Sequence, residues 1–234
     1  LPEGRFDLAY ALRACDYRGE AQLQVEWVDA RPHGPVTVSP PRPTRTVVDW
    51  RREPDPHTAL AGVLAESKAQ EAVTIWAEGE ERPGVTRGGA SVDRLGLTPA
   101  QTLVIWTAPP GQAELASALQ TVDPATVYLV ATQPVAVRLR PFLERLAGMV
   151  KHDLQVRGGQ VNVRRLAAVL GHREATVRAG LAWLVGQGQL SVINSEGDTL
   201  TLQVGGEPSP DLLSLEARLQ RLLDETAAYR RHLR

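Results

Sequence analysis

Apolar residues alternate with polar or small ones near the start of the chain, at Phe6, Leu8, Tyr10 and Leu12 and again at Leu23, Val25 and Trp27. Between the two runs lies Cys15-Asp16-Tyr17-Arg18-Gly19-Glu20, a turn-rich stretch. Period-two apolar runs around a Gly-containing turn predict a β-hairpin. An isolated hairpin is only marginally stable in water, and no later run offers strands that would close a barrel around it. Five prolines between Pro32 and Pro43 then predict an extended linker. Beyond it the period switches back and forth. Runs 45–51, 72–79, 102–110 and 126–132 are near-continuously apolar, and 57–67 and 111–122 carry helical spacing between them. Strands apolar on both faces, alternating with helices, predict a small α/β domain with a largely parallel sheet.

From residue 135 the pattern is helical. Leu139, Phe142, Leu143, Leu146, Met149 and Val150 form one stripe of a helix that starts near Pro141. A short helix follows within 158–171, with Asn162 as its N-cap and Gly171 just past its end. A third helix, 172–188, repeats Val177, Leu181 and Leu184 at i, i+4, i+7. A hairpin turning at Ser195-Glu196-Gly197-Asp198 comes next, and this order is that of a winged helix-turn-helix. The tail, 212–234, is a helix with Leu215, Leu219 and Leu222 on one stripe, expected to pack on its own domain. The expected fold class is therefore α+β and multi-part: residues 1–32 a hairpin, 33–44 linker, 45–134 the α/β domain, 135–205 a winged-helix-like domain and 206–234 the terminal helix.

Composition narrows the class without deciding it. With 43% hydrophobic and 23% charged residues the chain has the balance of a globular protein. No apolar run reaches membrane-helix length, and the single cysteine, Cys15, fits a reducing, cytoplasmic compartment. The net charge of −1 hides a segregation. Residues 47–134 hold 6 Lys/Arg against 11 Asp/Glu, whereas 135–182 hold 9 against 3. A concentrated basic segment is the better clue to an anionic partner.

Catalytic patterns are missing. The five histidines are scattered, with no HExxH pattern and no P-loop. The loop 82–96, with Gly88-Gly89 among Arg82, Arg87 and Arg94, is the nearest approach to a phosphate cradle, and an ordinary surface turn is its plainer reading. The helix-turn-helix segment carries Arg164, Arg165, Arg173 and Arg178, with Arg138, Arg140, Lys151 and Arg157 upstream. Duplex DNA, an acidic peptide or protein, and a purely structural role all stay open for it. At the hairpin turn, Tyr17 and Arg18 pair an aromatic ring with a guanidinium, the combination that stacks bases and holds phosphates of single strands, and also an ordinary exposed turn.

Two stretches together resemble one family. Phe6-Asp7-Leu8-Ala9-Tyr10, Tyr17-Arg18-Gly19, Leu23-Gln24 and Asp29-Ala30-Arg31-Pro32 resemble, in order, the end of the OB-fold of RecJ-like exonucleases of the DHH phosphoesterase superfamily. Cys15-Asp16 departs from that pattern, where the family often has Asn beside an acidic residue. Residues 102–120, 140–154 and 161–192 resemble, in their apolar positions, the C-terminal extension of some of these enzymes.

The resemblance implies the last strands of an OB-fold followed by a C-terminal domain, in a parent that degrades single-stranded DNA 5′→3′ with Mn²⁺ or Mg²⁺ during recombinational and excision repair. The Asp-His-His motif and the family's metal site are absent from these residues, so no catalytic position, metal ligand or cofactor is carried over. Arg13, Tyr17 and Arg18 are then expected to help hold single-stranded DNA. Arg138, Arg140, Lys151, Arg157, Arg164, Arg165, Arg173 and Arg178 are expected to dock partner proteins. The acidic tail of single-stranded-DNA-binding protein is the foremost partner, with other repair proteins possible. A stand-alone winged-helix regulator of duplex DNA and a nucleotide-binding enzyme using Gly88-Gly89 are the alternatives.

Overall fold

The structure is a computed structural model that describes residues 6–17, 20–32, 45–66, 73–79, 91–133 and 138–233, without the side chains of 13–17, 20–24, 31–32 and 66. The chain divides into two compact units, Leu1–Pro43 and Thr44–Arg234.

In the first unit, β1 (Phe6–Tyr17) pairs antiparallel with β2 (Glu20–Pro32) and with no other described strand. The ladder runs on to Tyr17 opposite Glu20. Cys15 and Asp16 thus belong to the strand rather than to the expected turn. A bulge separates the Ala9–Asp29 pair from the Tyr10–Trp27 pair, leaving Val28 as the extra residue. Without it, Ala30 and Trp27, an odd number of residues apart, would fall on opposite faces. With it, Phe6, Leu8, Tyr10 and Leu12 share one face with Trp27 and Val25. All six side chains are exposed, between 37% and 60%.

The second unit is mixed α/β. Strands β3 (Thr46–Asp49), β4 (Val73–Trp76), β5 (Ser91–Val92), β6 (Thr102–Thr107) and β7 (Thr126–Thr132) form a parallel sheet in the order β3-β7-β6-β4-β5. Helix α1 (Pro56–Glu66) begins with Pro56 behind Asp55, whose carboxylate accepts from the Thr58 amide at 3.1 Å. It covers one sheet face, where Leu60 and Leu64 meet Ile75, Val104, Trp106 and Val130. Helix α2 (Gln112–Val122) covers the other, where Ala118 and Val122 meet Trp76, Leu103, Ile105 and Val127. Burial on both faces is why β4, β6 and β7 read as unbroken apolar runs, whereas the edge strand β3 is largely exposed. Strand β5, absent from the sequence reading, is only two residues long.

Helix α3 (Leu139–Val156) starts two residues before Pro141, which the first turn tolerates because its missing N–H has no partner there. Then come β8 (Gln160–Asn162), α4 (Val163–Leu170), α5 (Glu174–Gly186), β9 (Leu190–Glu196), β10 (Thr199–Val204) and α6 (Leu212–Leu233). Asn162 caps α4 by accepting from the Arg165 amide at 2.9 Å, and Gly171 ends it at φ 65. Three-residue β8 joins the terminal hairpin to make an antiparallel sheet ordered β8-β10-β9.

A single core runs through these elements, from Phe142 and Leu146 of α3 through Leu166, Val177 and Leu181 to Leu219 and Leu223 of α6. Helix α6 packs back on its own unit as expected. Its fully buried positions are Leu219, Leu223, Thr226 and Arg230, with Leu215 and Leu222 of the expected stripe half-buried beside them. Among the described residues no helix is long and apolar enough to cross a membrane.

Candidate functional site

Most of the arginines read from the sequence as a basic surface are neutralised by carboxylates from other elements. Asp153 of α3, fully buried, accepts from Arg165 Nη2 and lies 3.4 Å from Arg157 Nε. Arg178 Nη2 donates to Asp198 Oδ1 at 2.9 Å and to the Gly197 carbonyl at 3.2 Å, tying α5 to the β9–β10 turn. Arg164 Nε lies 3.5 Å from Glu174 and 3.9 Å from Asp198. Arg173 Nη2 donates to Glu225 at 2.8 Å and to the Leu222 carbonyl at 3.2 Å, both on α6. These five cations brace the fold.

The other three lie exposed on or beside α3. Arg138 is its N-cap, Arg140 pairs with Glu144 one turn on at 3.0 Å, and Lys151 makes no ion pair among the described residues. Of the expected single-strand contacts, Arg18 lies outside the described residues. Arg13 and Tyr17 are placed on β1 by their backbones only. The Gly88-Gly89 loop is likewise outside the described residues, as are Arg82 and Arg87.

Beside the exposed cations a groove of about 340 Å³ opens between α3 and α5. Leu139, Leu143, Ala147, Trp183 and Leu184 line it, with Arg140, Glu144 and Gln189 as its polar members. Helical geometry builds this wall. Leu139, Leu143 and Ala147 recur at four-residue spacing, so they stack on one side of α3. Trp183 is fixed from behind, its Nε1 donating to Glu216 of α6 at 3.3 Å. The helices meet closely because Gly180 lacks a side chain. A Cβ there would fall 2.6 Å from Leu146 Cδ2 and 2.8 Å from Phe142 Cε1. At the other end of α5, a Cβ on Gly186 would fall 2.7 Å from Leu215 Cδ1 of α6. Helix α5 is thus held between α3 and α6.

A second polar centre lies at the carboxyl ends of the parallel strands, where open α/β sheets receive ligands. There the described side chains pair with one another, beside a pocket of about 210 Å³ lined by Arg94, Leu97, Glu114, Ser117, Arg164 and Glu174. Glu78, 2% exposed, accepts from Trp76 Nε1 at 2.9 Å and from Arg94 Nε at 2.8 Å, and Arg94 Nη2 reaches its second oxygen at 2.5 Å. Arg94 also donates to the His172 carbonyl at 3.0 Å. Thr107 Oγ1 bonds the backbone of Glu78. Burial opposes the charge on Arg94, but its hydrogen bonds to Glu78 and the nearby carboxylates outweigh this and raise its pKa. Arg94, one of the arginines read beside the Gly88-Gly89 loop, is an internal partner of Glu78.

Arg230 reaches in from α6, 1% exposed, and donates to the Ala108 carbonyl at 3.1 Å and to that of Gly171. Burial brings its pKa down to about 10, with Glu78 acting against that fall. Sequence patterns missed this centre. Its one local sign is Glu78, a carboxylate directly after the apolar run 73–77.

Among the described residues no three His, Cys, Asp or Glu side chains are grouped to hold a metal ion. Comparison with protein-family models, with curated proteins and with solved structures gives no match.

Proposed function

We propose that this chain is the non-catalytic C-terminal region of a RecJ-like 5′→3′ single-stranded-DNA exonuclease of recombinational and excision repair. In this reading the β1–β2 hairpin supplies the last strands of an OB-fold, and residues 135–205 form a winged-helix-like domain that docks partner proteins. The observation that carries it is the hairpin face of Phe6, Leu8, Tyr10, Leu12, Val25 and Trp27, apolar and exposed on a sheet that has two strands among the described residues. Such a face calls for further strands across it. Arg13, Tyr17 and Arg18, at the turn end of the hairpin, then serve the single strand. The divalent metal belongs to catalytic domains that these residues do not include.

Partner docking belongs to the groove between α3 and α5 rather than to the arginines of α4 and α5. The acidic tail of single-stranded-DNA-binding protein suits it. The tail's apolar end fills the groove, and its carboxylates meet Arg138, Arg140 and Lys151. The alternative of a duplex-DNA reader is disfavoured because α5, the helix that would enter a major groove, is enclosed by α3 and α6. A nucleotide enzyme is disfavoured because Arg94 and Arg230, the described cations at the carboxyl ends of the strands, are taken up by Glu78 and by backbone carbonyls.

Two experiments test the proposal. The reading frame upstream of Leu1 is expected to encode a DHH nuclease, and an unrelated frame there overturns the family reading. Calorimetric titration with the acidic-tail peptide is expected to show binding that Leu143→Asp abolishes. Undetectable affinity sinks the docking reading.

A further inference from the structure

We infer that Glu144 is the selectivity element of the α3–α5 groove, admitting acidic chains that bring an apolar end and turning away bare polyanions; this rests on the docking reading above. Arg140 and Glu144 both line the groove, and Arg140 Nε donates to Glu144 Oε1 at 3.0 Å. Their side chains are 90% and 66% exposed, so the pair is a surface ion pair that opens readily. Arg140, Glu144, Ala147 and Lys151 follow one another at i, i+4, i+7 and i+11, which puts them on one helix face. Glu144 therefore stands between the two cations that would attract an anion to this face.

An approaching carboxylate meets Glu144 before it gains either cation in full. A ligand offering only negative charge has nothing to set against that repulsion. A chain ending in an apolar residue does. Its side chain replaces water against Leu139, Leu143, Ala147 and Trp183, and its terminal carboxylate takes the place of Glu144 on Arg140. Rejecting a competitor with a like charge while rewarding the wanted ligand with burial is how narrow specificity is commonly reached. The carboxylates that neutralise Arg157, Arg164, Arg165, Arg173 and Arg178 work in the same direction, since they leave these five arginines less able to hold a polyanion.

The test titrates the full chain, Glu144→Gln and Arg140→Gln with three probes: an Asp-rich peptide ending in Phe with a free carboxylate, the same peptide ending in Gly, and poly-aspartate. Glu144→Gln is expected to tighten the Phe-ended peptide by about twofold to fivefold, the range of one surface ion pair. It is expected to tighten the other two probes by more, so that discrimination narrows, whereas Arg140→Gln weakens the Phe-ended peptide. Binding of the Phe-ended peptide that Glu144→Gln leaves unchanged, with the other probes also unchanged, overturns the role of Glu144 and leaves docking standing. Binding by Glu144→Gln but not by the unaltered chain overturns docking in the native protein and keeps Glu144 as the barrier. No binding by either overturns both.

Discussion

Nε of Arg230 stands 3.1 Å from the carbonyl oxygen of Ala108, and the same guanidinium donates to the carbonyl of Gly171. One side chain of α6 thereby bonds both the loop that leaves the parallel sheet and the turn between α4 and α5. Arg230→Met removes the donor from two buried carbonyls and is expected to cost about 2–4 kcal/mol, read as a fall in the urea midpoint. Arg230→Lys is expected to recover only part of this, because an ammonium lacks the planar fork that reaches both carbonyls. An unchanged midpoint in both variants would show that the contact contributes nothing.

Two glycines in neighbouring helices are expected to respond in opposite directions. At Gly180 a methyl group meets Leu146 and Phe142 inside 3 Å, so Gly180→Ala overpacks the α3–α5 contact and costs about 1–3 kcal/mol. At Gly148, exposed in the middle of α3, an added Cβ has nothing within 4 Å. Gly148→Ala is expected to stabilise by about 0.5–1 kcal/mol through helix propensity alone. Thermal melts of the two variants side by side decide this, and a matching sign in both would refute the close approach of α3 and α5.

What the sequence made legible was whatever is settled locally. The cap at Asn162 and the left-handed Gly171 both follow from neighbours in the chain. So do the apolar runs of β4, β6 and β7, whose burial on both faces leaves no polar phase. Strand β8 was invisible because three residues carry no period, and it exists only by pairing with β10 from Thr199 onward. The basic segment misled for a related reason. Its charge was counted along the chain, but the carboxylates that quench Arg173 and Arg178 are Glu225 and Asp198, which arrive from α6 and from the β9–β10 turn. Of the groove residues of α3, Leu139 and Leu143 belonged to the apolar stripe read from the sequence, and Ala147 did not. That Leu139 and Ala147 border an opening rather than the core depends on where α5 lies.

The arginines of α4 are expected to behave as structural residues. Asp153→Ala leaves Arg165, 30% exposed, without its carboxylate and is expected to cost about 2–3 kcal/mol, less than for a fully buried pair because solvent reaches the guanidinium. Arg165→Glu should be at least as damaging. Lys151→Gln, on the exposed face of α3, is expected to stay within about 0.5 kcal/mol of the unaltered chain. Urea unfolding separates the two sets, and equal effects would contradict the assignment.

Asp49 offers a pH test. Its hydrogen bonds with Arg51 hold its carboxyl at about 2, below the usual 3.8. The folded state therefore binds this proton less readily than the unfolded chain. The stability Asp49 contributes is complete above 3.8 and is lost as pH falls through about 2. Arg51→Met removes the guanidinium but keeps the amide that donates to Asp49, and is expected to raise the carboxyl titration part of the way toward the usual range, as followed by side-chain carboxyl NMR. A midpoint that stays near 2 would mean that the Arg51 guanidinium is not the cause.

The Arg230–Ala108 contact joins residues 122 positions apart. During synthesis the parallel sheet, α4 and α5 have all left the ribosome while their shared seam still lacks its donor. The carbonyls of Ala108 and Gly171 stay with water until the last turn of α6 emerges, and closure of the seam is a late event however early the sheet forms. A nascent chain stalled before Tyr229 should therefore hold a folded sheet whose carboxyl edge is still open to solvent, and to chaperones.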